Sequence, residues 1–513
     1  MKDDPIEASG RGLPAGAGRA RKERVTAYIW FLTGMISISG LLFGLDTGII
    51  SGILVSLGDD LGHELSNGDK ELITSITTAL AFVGGIAAGI TSDRFGRKWL
   101  LWAADVFFIV GAIVQAVAHN VATMTAGRAL LGLGVGIASC VCPLILTELS
   151  PTHLRGRLVT INVVMITLGQ VIAYAIGAAF ERTGGGWRWM AGLCAIPAGI
   201  QIVALVFLPD SPRQLIVKNK FRLAKNALKK IYPYETDEQL DAKIEFLQDE
   251  AALQAKILAS EPLKKRVKDI ILIGSNRRAL TIAVGLQLFQ QLSGFNTLMY
   301  YSATLFASIG FNNPTAVGLI VSGTNFIGTV LALKYIDIIG RRRVLLFSAP
   351  GMVIGLVLAA VSFHYLTLGT GGKLDPNADY PGKWSGLVLF SMVFYVFSYA
   401  LGIGNIPWLQ GELFPISYRG IGTSLATGGN WGSNLIISST YLSMMDAMTP
   451  SGAFGFYAGL CFVGCVFVTF CYPNTAGLSI EETRVIFKDS FGIKAADRLR
   501  ADKAAAYDAG MAQ

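Results

Sequence analysis

The stretch "ELSPTHLRGR", Glu148 to Arg157, has a second copy in "ELFPISYRGI", Glu412 to Ile421. Glu, Pro and Arg-Gly keep their spacing in both. Basic loops are common, but a basic loop explains only the arginines, not the acid, the proline and the glycine at fixed places. The same offset carries "PDSPR" (209–213) onto "PNTAG" (473–477) and Pro143 onto Pro407. A slightly smaller offset carries "DRFGRK" (93–98) onto "DIIGRRR" (337–343), and the long loop "LGTGGKLDPNADYPGKW", opposite a short "AHNVATM", makes up the difference. The chain is therefore written as two related halves.

What surrounds the motifs is apolar. Of 513 residues, 52% are hydrophobic and only 15% charged, which does not describe a water-soluble surface. Apolar windows recur at 27–55, 72–92, 99–118, 121–146, 158–180, 187–208, 279–308, 314–336, 344–368, 385–410, 421–445 and 452–472, each near the ~20 residues that cross a hydrocarbon core. The first window is too long for a signal-peptide core and is expected to stay in place. Expected domains are a cytoplasmic tail (1–26), a six-helix bundle (27–210), a cytoplasmic linker with amphipathic helices (211–278), a second six-helix bundle (279–473) and a cytoplasmic tail (474–513) that frays. If segments alternate sides, most Lys and Arg fall on one side, and only Lys70, Arg182, Arg188, Lys373 and Lys383 on the other. That asymmetry is the positive-inside rule, so both termini are expected in the cytoplasm and the net charge of +8 reports topology, not nucleic acid.

Several classes drop out. The six cysteines fall in or beside apolar windows, and Cys140 and Cys142 form a lone CxC, so neither a disulfide framework nor a metal site is expected. "GLGVG" (132–136) lies in an apolar window with no preceding strand and reads as close helix packing, not a dinucleotide loop. No hydrolase constellation, phosphate loop or Asn-x-Ser/Thr acceptor is found, so neither an enzyme nor a cofactor is expected and energy must come from a gradient.

Together "DRFGRK" with "DIIGRRR", "ELSPTHLRGR" with "ELFPISYRG", "PDSPR" and "QQLSGFN" (290–296) resemble the sugar porter family of the major facilitator superfamily, across all twelve windows. "SLGDDL", "DKELITSITT" and "SGFNTLMYYSATLF" look most like the fungal proton/myo-inositol transporters within it. The resemblance implies an all-α membrane protein with twelve transmembrane helices in two six-helix halves, expected as a monomer in the plasma membrane. One departure stands out: the family's Pro-Glu-Thr-Lys-Gly after the last span is "PNTAG" here, with Asn474 and Ala476 removing two charges.

Charges deep in spans are costly and mark function. Most charged residues here sit at span ends; Asp46 in "LLFGLDTGIISG" and Arg128 in "TAGRALLGLGVG" do not. Both lie roughly 10–14 Å below the outer surface, at 1.5 Å per helical residue, and can meet. The plainer reading is a permanent ion pair. The sharper one is that Asp46 binds a transported proton and Arg128 changes partner, since burial favours the neutral acid and a guanidinium favours the carboxylate. The resemblance supports the second, because proton-coupled sugar porters carry Asp at this place.

The offset relating Asp93 to Asp337 carries Asp46 onto Gln290. The second half thus has amides where the first has an acid, and amides suit hydroxyls because each donates and accepts. Gln290, Gln291 and Asn296 repeat at near-helical spacing, with Gly294 permitting a break, so they can face one cavity; helix-to-helix hydrogen bonding is the alternative. The resemblance carries substrate contact to Gln170, Gln290, Gln291, Asn296, Asn325, Trp408 and Trp431, with Phe43 lining the site and Asn430 ranked lower. Gly402, Gly404 and Pro407 interrupt span ten, the expected gate unless the kink is fixed. The loop charges Asp93, Arg97, Glu148, Arg155, Arg157, Asp337, Arg341, Glu412 and Arg419 form an expected cytoplasmic latch between the halves. The expected solute is a neutral polyol or monosaccharide, myo-inositol favoured, carried with a proton; a facilitated-diffusion or proton-coupled hexose carrier and a non-transporting sugar sensor are the alternatives.

Overall fold

The computed structural model describes residues 26–150, 155–260, 262–375, 378, 380–475, 482 and 485–511. In chain order the helices are α1 (Ala27–Ser56), α2 (Asn67–Phe95), α3 (Arg97–Ala116), α4 (Val121–Leu149), α5 (Arg155–Phe180), α6 (Gly186–Leu193) and α7 (Ala195–Phe207). A linker follows with α8 (Pro212–Val217), α9 (Phe221–Ile231), α10 (Asp237–Ser260) and α11 (Leu263–Leu272). The second series is α12 (Gly274–Leu292), α13 (Phe295–Ser308), α14 (Pro314–Ile339), α15 (Arg341–Leu366), α16 (Gly382–Leu401), α17 (Ile416–Ser438) and α18 (Tyr441–Cys471), and α19 (Ile493–Met511) closes the chain. Among the described residues ten segments are long and apolar enough to cross a membrane, with α6–α7 counted as one and α16 running on through Leu413. The α12–α13 pair and α17 fall short of that measure, α12–α13 because it is broken and begins in polar residues, α17 because it is rich in Gly, Ser and Asn.

Local chemistry sets the ends. Ser66 and Asp69 form a reciprocal capping box at the start of α2, and Asn120 caps α4 by accepting from the Thr123 N–H at 2.7 Å. The repeated loop motif has a backbone cause: Gly96 and Gly340, at matching places in "DRFGRK" and "DIIGRRR", turn with φ of +108° and +94°, a region that side chains avoid. Gly294, at φ +83°, breaks α12 from α13 as its sequence predicts.

Packing follows the small residues. α1 lies on α5 and α2 on α4. At Gly44 and Gly136 a Cβ would collide with the backbone of Ile166 and Ala81, so the "GLGVG" segment serves close helix contact. α3 joins α4 and α7, while α15 joins α16 and α18 and α12 joins α17. The two groups meet where α1 faces α13, α5 faces α14 and α2 faces α17. Polar contacts cross that boundary at the end away from the basic turns. Glu71 accepts from the Ser443 N–H at 2.8 Å and its hydroxyl at 2.7 Å, and Asn67 donates to Asp446 at 2.5 Å.

Two expectations are corrected. The windows place the last outer turn after residue 445, but the chain turns at Ser439–Thr440 and then kinks at Thr449, φ +65°, before Pro450. The tail expected to fray carries α19 instead, because its alanines are strong helix formers and Ala496 is buried. The linker has α8 and α11 in addition to the two helices its apolar spacing predicts.

Candidate functional site

The two charges expected to meet do so. Arg128 of α4 donates from Nη1 to Asp46 Oδ1 of α1, and the two residues are 1% and 6% exposed. Arg128 Nε also donates to the Ile73 carbonyl at 3.3 Å, which holds the guanidinium between α1 and α2, and the Thr77 hydroxyl donates to the Arg128 backbone carbonyl at 3.2 Å. α1 packs against α13 of the other group, on which Tyr300 is buried. Its hydroxyl and the Asn434 amide face each other at 3.3–3.5 Å. The pair therefore sits at the boundary between the groups. Asp46 and Arg128 are not alone among deep charges: Asp105 of α3 is fully buried, and neither carboxyl oxygen has a hydrogen-bond partner among the described residues.

In the second group the amides form one connected network. Gln291 Nε2 donates to Asn430 Oδ1 at 3.1 Å, and Gln291 Oε1 accepts from Asn296 Nδ2 at 2.6 Å. Asn430 Nδ2 donates to Gln287 at 2.5 Å and to Gln290 at 2.8 Å. Gln290 Nε2 turns away to the carbonyls of Ile403 and Gly404, at 3.1 and 2.9 Å. α16 ends at Leu401 and the chain resumes as a 3-10 helix over Ile406–Leu413, so these are backbone acceptors that the break in span ten leaves open. Gln290 thus performs the helix-to-helix role that was the alternative reading, while Gln291 and Asn296 stand at the free end of the network. Asn430, ranked lower from sequence, is its hub.

Gln287, Gln410 and Asn434 escape a reading based on motifs alone. Gln287 Nε2 donates to the Pro407 carbonyl and to Gln410, both at 3.1 Å. Their signal is periodicity: Gln287 precedes Gln290 and Gln291 by one helical turn, and Asn434 follows Asn430 by one.

Aromatic and lateral contacts complete the arrangement. Phe43 of α1 and Trp431 of α17 meet across the boundary with ring centroids 5.7 Å apart, and the buried Trp431 indole N–H has no partner among the described residues. Gln170 of α5 accepts from Asn325 of α14 at 2.8 Å, also across the boundary. Trp408 lies half-buried in the 3-10 segment, its backbone N–H donating to the Asn405 carbonyl at 3.3 Å. Phe43 lies one helical turn before Asp46 on α1 and Trp431 follows Asn430 on α17, so their ring contact joins the helix of the ion pair to a helix of the amide network.

Of the loop charges, Arg97 pairs with Glu148 at 3.2 Å, and Arg341 pairs with Glu412 through both guanidinium nitrogens. Each pair lies within one helical group. The side chains of Asp93, Arg155, Arg157 and Asp337 are outside the described residues, as is Ala476. Arg419 stands at the start of α17, with Asn474 buried against the Gly340 turn.

Residues 32–487 match the family described as sugar (and other) transporter. A myo-inositol transporter 1 of Cryptococcus neoformans is 53% identical over 94% of this chain and 85% of its own length. Myo-inositol transporter 1 of Saccharomyces cerevisiae is 43% identical over 93% and 82%. Among solved structures, the proton:xylose symporter XylE bound to 6-bromo-6-deoxy-D-glucose superposes with a TM-score of 0.72 at 26% identity, over 90% of this chain and all of that one. The helical architecture is thus that of the major facilitator superfamily, and the chain belongs to the sugar transporter family as a membrane carrier, not an enzyme.

Proposed function

We propose that the protein carries a neutral polyol, myo-inositol before any hexose, together with a proton by alternating access. Asp46 is the proton site, Arg128 its exchangeable partner, and Gln291, Asn296, Asn430, Trp408 and Trp431 the solute-facing groups, with Gln170, Asn325 and Phe43 at the rim. Gln290 holds the broken helix beside them. The observation that carries the reading is the unpartnered Trp431 N–H at the boundary, flanked by a preformed amide network on one side and the single described Asp–Arg pair within the spans on the other. A polyhydroxylated ring can give its C–H face to an aromatic ring while its hydroxyls accept from an indole and exchange bonds with amides.

The relatives, myo-inositol transporters by name, support that solute, and the superposed proton:xylose symporter supports proton coupling. In this reading twelve spans form two groups of six, 27–210 and 279–473, the α12–α13 pair and α17 being polar spans shielded by their neighbours. The charge asymmetry supports cytoplasmic termini, a cytoplasmic 211–278 linker and residence in the plasma membrane as a monomer. The polar contacts of Glu71 and Asn67 then close the outer end.

The test is uptake of radiolabelled myo-inositol, glucose, xylose and galactose in a transport-null cell at two external pH values. Myo-inositol uptake that rises at the lower pH and collapses when the proton gradient is dissipated is expected. Hexose uptake indifferent to the gradient would replace this reading with a facilitated hexose carrier, and binding without accumulation in proteoliposomes would replace it with a sensor.

A further inference from the structure

We propose that α11, with the first turn of α12, is a binding surface for anionic phospholipid headgroups. Leu263, Val267 and Ile271, one helical turn apart, form a single stripe that is 60%, 36% and 49% exposed, and Ile270 beside it is fully buried against the protein. Leu272 and Ile273 extend the exposed apolar surface to the turn into α12. An aliphatic stripe facing water is unfavourable. Here the neighbouring chain says what covers it: α12 starts at Gly274 and runs directly into the helical bundle, so α11 lies where the bundle leaves the bilayer.

The charge beside the stripe is of one sign. Lys264 and Lys268 follow Leu263 and Val267 by one position and are exposed, Lys265 lies beyond them, and Arg277 is exposed in the first turn of α12. Asp269 is the only acid between Leu263 and Arg278. A helix with an aliphatic face and a basic border lies in the interface plane, apolar side towards the acyl chains and cations among the phosphates. The phosphate of a zwitterionic lipid is offset by its own choline, so the surface selects headgroups with net negative charge. Because α12 carries Gln287, Gln290 and Gln291, lipid held at α11 steadies the base of the helix that presents the amide network. The inference rests on the membrane reading of the chain and not on which solute it carries.

The experiment compares nanodiscs of phosphatidylcholine alone with nanodiscs that also contain phosphatidylserine, using the full chain. Hydrogen–deuterium exchange of the amides of 263–273 is expected to slow about tenfold when phosphatidylserine is present, and high salt should reverse the change. Each basic residue near a charged surface is worth about fivefold in lipid preference, so K264Q/K268Q/R277Q should lose the preference for spin-labelled phosphatidylserine on the order of a hundredfold. V267S/I271S should keep the preference for charge but lose the protection. Equal exchange of wild type in the two lipids, or an unchanged preference in the triple variant, would overturn the proposal. Solute uptake enters neither readout, so failure of the transport reading leaves this result standing.

Discussion

Asp46 and Gln290 stand at equivalent places in two related halves, and the structure gives them opposite surroundings. Asp46 has a cation as its partner within the spans, and removing either charge strands the other in low dielectric. Gln290 is tied to two backbone carbonyls and to Asn430, and no change of proton inventory would disturb it. One half therefore holds a buried ion pair; the other holds a frame of neutral amides. The proposed coupling of a proton to a neutral solute draws on both, the titratable pair for the proton and the amides for the hydroxyls. Between them α13, which packs against α1, carries the buried Tyr300, whose hydroxyl meets Asn434 of α17.

The largest expected effect breaks the switch. Asp46→Asn keeps the shape and fixes the neutral state, so the carrier can still bind solute and reorient when loaded. In proteoliposomes it is expected to retain counterflow and lose proton-driven accumulation entirely. Intact accumulation would sink the coupling role and leave a structural pair. Arg128→Ala is expected to lose accumulation and also stability, since breaking a buried pair costs about 3–5 kcal/mol. The double change Asp46→Asn with Arg128→Ala should recover the thermal midpoint without recovering accumulation, and a double change no more stable than Arg128→Ala alone would show that the two residues do not act as a pair.

A smaller effect tests the frame. Gln291→Ala removes the group that joins Asn430 to Asn296, at a cost in solute binding of about 1–3 kcal/mol, or roughly ten- to hundredfold in affinity. Trp431→Phe keeps a ring against Phe43 and deletes only the unpartnered N–H, so a loss near the lower end of that range is expected by calorimetry. Indifference to both changes would place the solute elsewhere. Because the frame does not titrate, neither change should alter the pH dependence of the uptake that remains.

Much of this arrangement is legible in the chain. The repeated loops announce two halves because Gly96 and Gly340 must turn with positive φ, and helical rise puts Asp46 and Arg128 at one depth, where the packing of α1 near α4 lets them meet. What sequence cannot rank is which amide faces inward. Gln290 and Gln291 are neighbours with the same chemistry, and only the fracture of span ten decides that Gln290 is consumed by Ile403 and Gly404. Asp105 is overlooked for a related reason: its window reads as apolar around it, and full burial depends on how α3 lies on α4 and α7. The partners of loop charges are likewise set by the geometry of turns and not by spacing.

Those loop charges give the smallest expected effect and the last way to sharpen the contrast between halves. Arg97 and Glu148 are nearly buried, whereas the equivalent Glu412 is about half exposed towards water beside Arg341. Exposed pairs contribute about 0.2–1 kcal/mol because water and salt screen them, so a change at Glu412 can shift the resting population by no more than about fivefold. Glu148→Gln should shift it further, since Arg97 and Arg341 are about equally buried but the Glu148 carboxylate is nearly buried, so water screens its pair less than Glu412's. The measurement is cysteine labelling from the basic end, in a background without native cysteines, for Glu148→Gln and Glu412→Gln side by side. A larger gain in accessibility for Glu148→Gln would mean that the first half carries more of the latch as well as the proton. Equal and negligible gains would mean that both pairs merely brace their own groups, and that the contacts of Glu71 with Ser443 at the other end set the resting state.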